Sequence, residues 1–143
     1  MNRILVLISL LILSACSRSD RDDGCRFLVS NAVVDADINL NLPQYEPLRF
    51  TGNTIYIQNQ GIAGIFVSNA GNGNLRAFDA ADPAHAPTSC SRLNNVSGIG
   101  TCGCSDENEY SLLTGQPVNG SSECLMREYR VESIGTDMFR VYN

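Results

Sequence analysis

Cys102-Gly103-Cys104-Ser105-Asp106-Glu107-Asn108-Glu109-Tyr110 is the stretch on which the reading of this chain turns. Two cysteines stand two apart, and a hydroxyl, two acids and an amide follow. Three chemistries suit such a run: a metal site, a disulfide, or the outline of a site whose ligands have been replaced. The stretch lies between short apolar runs. Tyr110-Ser111-Leu112-Leu113 leads directly into Thr114-Gly115-Gln116-Pro117, so a strand signal is followed by a turn signal.

The same rhythm recurs in both directions. Residues 38–42 (INLNL) alternate and predict an early strand. Residues 54–58 and 64–68 read as strands, and residues 75–78 follow the hairpin-favouring pair Asn72-Gly73. Residues 128–132 and 138–142 are joined by Gly135-Thr136-Asp137 and read as a C-terminal hairpin. Tyr56, Phe66, Phe78, Tyr110, Tyr129 and Phe139 are expected in the core. Residues 80–97, rich in Pro, Ala, Ser and Asn, read as a long ordered loop. No long helical period occurs. Turn signals about every ten residues predict an all-β sandwich or barrel.

The N-terminus carries a different message. Arg3 precedes residues 4–13, which are apolar except for Ser9. Such a run is too short to span a bilayer and has the shape of a secretory signal core. Ser14-Ala15-Cys16 then resembles a bacterial lipobox, which implies cleavage before Cys16 and its lipidation. Acyl chains would anchor the protein, each buried methylene adding about 0.8 kcal/mol. The expected organisation is a lipoprotein signal peptide at 1–15, a lipidated tether at 16–30 and one β domain at 31–143. Residues 17–23 are polar and acidic. They read either as a solvated linker or, by resemblance, as a surface-export signal of Bacteroidetes lipoproteins.

All ten basic residues are arginine, and the formal net charge is −5. Without a basic patch, nucleic acid is not an expected partner. The expected partners are the membrane, through the anchor at Cys16, and a protein of the cell envelope. Anchoring at the outer membrane is expected, on its periplasmic or its surface face.

The order of motifs then points to a family. Ala77-Phe78-Asp79-Ala80-Ala81-Asp82-Pro83-Ala84 comes first, Cys102-Gly103-Cys104-Ser105 second, and Tyr110-Ser111-Leu112-Leu113-Thr114-Gly115-Gln116-Pro117 third. Gly120, Leu125, Tyr129-Arg130-Val131 and Phe139-Arg140-Val141-Tyr142-Asn143 complete the series. Over residues 38–143 this resembles a Rieske [2Fe–2S] domain and, more closely, is similar to the Rieske-like lipoproteins of Bacteroidetes. The resemblance implies an antiparallel β fold with a small subdomain bearing two cluster loops.

The ligands depart from that pattern. A Rieske cluster takes two cysteines on one iron and two histidines on the other, and this chain has one histidine, His85. By the resemblance, Asp82 stands where the first ligand cysteine belongs and Ala84 where the first histidine belongs. Cys102 matches the second cysteine, and Ser105 replaces the second histidine. No cofactor is therefore expected; the alternative is a [2Fe–2S] cluster with unconventional ligands. No catalytic residue and no metal ligand is assigned, and an enzyme is not expected.

Many Rieske proteins link their two loops by a disulfide, which implies a Cys90–Cys104 pair here. Cys90–Cys102 competes with it, and Cys102–Cys104 would close a small strained ring. Cys25 and Cys124 lie outside the loops and would pair to staple the N-terminal arm, leaving Cys102 over. A metal site of Cys90, Cys102 and Cys104 with His85 or Asp82 is a weaker reading. The spacing is not that of paired C-x-x-C ligands, and the compartment favours oxidation. His85 is expected as an exposed loop residue, and residues 106–109 as a solvated turn.

Overall fold

The computed structural model describes Cys25, Phe27 and residues 32–143; the signal, Cys16 and most of the tether lie outside them. The fold is all-β, as expected. Ten strands form two antiparallel sheets: β1 (Asp35–Asn39), β2 (Thr54–Ile57), β3 (Ile65–Gly71), β4 (Asn74–Asp79), β5 (Asn94–Val96), β6 (Ile99–Thr101), β7 (Glu109–Ser111), β8 (Pro117–Asn119), β9 (Glu128–Gly135) and β10 (Met138–Tyr142). A 3₁₀ turn, Glu46–Arg49, precedes β2. The larger sheet runs β1-β10-β9-β4-β3-β2 and the smaller β5-β6-β7-β8. Among the described residues no helix is long and apolar enough to cross a membrane.

The smaller sheet is an insertion. The chain leaves the larger sheet at the end of β4 and returns at β9, and these two strands are neighbours, with Ala77 opposite Tyr129 and Phe78 opposite Glu128. Asp79 closes the neck. Its backbone N–H donates to Arg127 O, and its carboxylate accepts from Ile62 N, Ala63 N, Ala81 N and Tyr129 Oη. Four donors compensate the cost of burying this charge.

Strand alternation divides the interior into two cores. Ile65, Val67 and Ala77 pack with Ile38, Leu48, Leu75, Tyr129 and Val141 under the larger sheet. Phe66 and Phe78, on the opposite face of the same hairpin, pack with Ala80, Leu93, Cys102, Tyr110, Leu112 and Met126 of the inserted unit. The β3–β4 hairpin is thus covered on both faces, which is why residues 64–68 carry an almost continuous apolar run. Its turn has Asn72 and Gly73 both at positive φ, as a two-residue hairpin of that sequence requires.

Several expectations are corrected. The first strand is Asp35–Asn39 rather than 38–42. Asn39 Oδ1 accepts from Asn41 N and Leu42 N donates to Asn39 O, so the chain turns just where the alternation continues. The 80–97 loop ends earlier, because β5 begins at Asn94 and pairs with β6. That exposed strand has no apolar alternation, and its hairpin is made by Ser97 and Gly98, both at positive φ. Tyr56 is not core: its side chain is substantially exposed, and its hydroxyl donates to Ala63 O.

Candidate functional site

Two loops of the inserted unit, residues 80–93 and 102–108, meet at its tip. Backbone bonds close each loop on itself, Asp82 N to Ser91 O in the first and Cys102 N to Asn108 O in the second, and Gly103 N to Cys90 O joins the two. The sulfurs of Cys90 and Cys104 are 2.03 Å apart across the loops, and those of Cys25 and Cys124 are 2.05 Å apart. These are the two pairs expected from the sequence. Cys102 is the free, buried cysteine among the described residues.

Asp82 is the centre of the tip and is fully buried. Its Oδ1 accepts from Tyr110 Oη at 2.7 Å and from Ala84 N at 2.8 Å. Its Oδ2 faces Asn108 Nδ2 and lies 3.3 Å from His85 Nδ1. Neutral donors therefore fix Oδ1, while Oδ2 is directed at the imidazole. The other ring nitrogen, Nε2, is 3.2 Å from Asp106 Oδ2. Cys102 Sγ lies 3.5 Å from His85 Nδ1 and accepts from Cys104 N. Asp82, His85, Cys102 and Asp106 each present one donor atom within 4.8 Å of the others.

Two expectations fail here for one reason. His85 is not a free loop residue, because carboxylates hold both of its ring nitrogens. Residues 106–109 are not a solvated turn, because Asn108 is fully buried. Asn108 donates to both Asp82 and Asp106 and accepts from Ser121 N and Ser122 N. Sequence reasoning named Asp82, Cys102 and His85 but missed Asp106, Asn108 and Tyr110 as their partners. The only available sign was the density of polar residues after Cys104. Of the four positions compared with the cluster ligands, Asp82 and Cys102 face the site. Ser105 is exposed, and Ala84 contributes its backbone N–H.

The surroundings disfavour charge on the thiol. Burial pushes Cys102 up to about 12, and a hydrogen bond with Asp82 adds to this against the opposing Cys104 N–H. Burial also raises Tyr110 well above the usual phenol range; Asp82 adds to that rise, and a contact from Ser122 offsets part of it.

The donor set can be compared with a Rieske cluster. Cys90 and Cys104 use their sulfurs on each other, so the tip offers one thiol, one imidazole and two carboxylates. Two thiolates and two imidazoles are required for that ligation, and these residues do not supply them.

No family model matches the chain, and no curated protein matches it. Among solved structures it is similar to a chain of the complex of reduced oxygenase and oxidized ferredoxin in carbazole 1,9a-dioxygenase. The identity is 14%, the TM-score 0.48, and the match covers 76% of this chain and 93% of that one.

Proposed function

We propose that this is a lipid-anchored protein of the cell envelope, held at the outer membrane through Cys16. Its Rieske-like domain has lost [2Fe–2S] ligation and acts as a structural or interaction module. One observation carries the reading: the Cys90–Cys104 disulfide consumes two of the three cysteines at the tip and leaves Cys102 beside a single histidine. The Rieske-like assignment draws support from the motif order along residues 77–143 and from the meeting of its two loops at one end of an inserted sheet. Fold does not by itself transfer an activity, so no electron-transfer or enzymatic step is assigned. The test is the electron paramagnetic resonance spectrum of the dithionite-reduced full chain, prepared without oxygen from cells able to assemble clusters. A silent spectrum is expected. The signal of a reduced two-iron cluster would instead establish the alternative, electron transfer with unconventional ligands.

A further inference from the structure

The four donors at the tip do not suit two irons, but their spacing suits one ion. In a tetrahedral site with nitrogen and oxygen ligands at about 2.0–2.2 Å and sulfur at about 2.3 Å, ligand atoms stand about 3.3–3.8 Å apart. His85 Nδ1 lies 3.3 Å from Asp82 Oδ2 and 3.5 Å from Cys102 Sγ, so two of the donor–donor distances already have that spacing, and all four donors lie within 4.8 Å of one another. Asp106 completes the set. Its ligand atom lies within 4.8 Å of the other three, and its Oδ2 is 3.2 Å from Nε2 of the ring. Its Oδ1 is, among the described residues, a buried side-chain oxygen that accepts no hydrogen bond. The supporting contacts have the same sense. Tyr110 and Ala84 N engage Asp82 Oδ1, and Oδ2, which accepts from Asn108 Nδ2, faces the site; Asn108 thereby ties Asp82 to Asp106.

We propose that Asp82, His85, Cys102 and Asp106 form a binding site for a single divalent transition-metal ion of the zinc class. One nitrogen, one sulfur and two carboxylate oxygens are the mixed donors that Zn²⁺ accepts; Ca²⁺ would need six or more oxygens. Two carboxylates and a thiolate more than neutralise a divalent charge. On binding, the Cys102 thiol gives its proton to solvent and the sulfur bonds to the ion, with no change of oxidation state. Cys104 takes no part, because its sulfur is bonded to Cys90.

The test uses the full chain in detergent, without a histidine tag or reductant, stripped with a chelator and titrated with Co²⁺. One Co²⁺ per chain is expected, with near-ultraviolet thiolate-to-cobalt absorption that Zn²⁺ displaces. Cys102→Ser should abolish that absorption. Asp106→Asn, at a partly exposed position, should leave the fold intact and weaken Co²⁺ by 10-fold or more. Zn²⁺ should raise the melting temperature of the wild type more than that of either variant. No cobalt spectrum, a spectrum unchanged in Cys102→Ser, or equal zinc stabilisation of all three proteins would overturn the site. The inference uses the loop geometry and not the anchor. A chain that lacks iron and also ignores Co²⁺ and Zn²⁺ sinks this proposal alone, whereas a two-iron cluster sinks the preceding reading.

Discussion

Two buried acids, Asp79 and Asp82, are each held by a tyrosine hydroxyl, Tyr129 for the first and Tyr110 for the second. The pairs have different tasks: Asp79 closes the neck of the insertion, and Asp82 organises the tip. Burial is the first cause of both raised phenol values, with the neighbouring carboxylate adding to it. The sign for stability follows. Unfolded phenols ionise near pH 10, while these stay neutral to higher pH. Their contribution is full below about pH 10 and is lost as pH rises through the folded values. Tyr129→Phe should make the alkaline loss shallower and cost about 1.5–3 kcal/mol at neutral pH, read by denaturant unfolding. An unchanged alkaline slope would deny Tyr129 that role. Gly120 is another decisive residue. It sits at φ +98, and a Cβ there would lie 2.5 Å from Asn108 Oδ1. Gly120→Ala should therefore cost more than about 1 kcal/mol, since both the backbone and the Asn108 plug resist it. Neither effect was legible in the sequence. Tyrosine is an ordinary core residue, and a buried carboxylate is recognised only from what surrounds it.

At the scale of elements, the strands whose apolar pattern matches their burial were legible: β2 to β4, β7, β9 and β10. The first strand slipped by three residues because a local turn at Asn39 overrides a continuing alternation. β5 was missed because it is short and exposed throughout. The tip was half legible, since the sequence singled out Asp82, His85 and Cys102 but not the polar groups gathered around them. The two loops are joined by the Cys90–Cys104 bond, whose partners are 14 residues apart. The chain-entropy account gives about 3 kcal/mol for a loop of that size. Replacing both cysteines by alanine should lower stability by roughly that amount in denaturant titration; a loss near zero would mean the backbone bonds alone fix the tip. A thiol assay makes a separate demand. The lipidated protein, its Cys16 sulfur blocked, should react at no cysteine at pH 8, because Cys102 is buried with its thiol pushed up to about 12, and one thiol should react after denaturation. Three or more reactive thiols would contradict the two-disulfide arrangement.

At the scale of the molecule, two loops on an inserted sheet are combined with a covalent tie and a polar tip. The composition is acidic and lysine-free, and the proposed reading puts the membrane anchor at Cys16. Cys16→Ser should shift the protein from the membrane to the soluble fraction and abolish acyl labelling, as cell fractionation will register; retention in the membrane would leave the anchor elsewhere. The fold class was legible because turn spacing and alternation are local properties. Function was less so, because it depends on which side chains two distant loops bring together. Whether the tip holds a Rieske cluster is answered most directly by iron and acid-labile sulfide per chain, in full-length protein prepared without oxygen from cells competent in cluster assembly. The donor count predicts that both are near zero. About two irons and two sulfides per chain, the content of a [2Fe–2S] cluster, would contradict it.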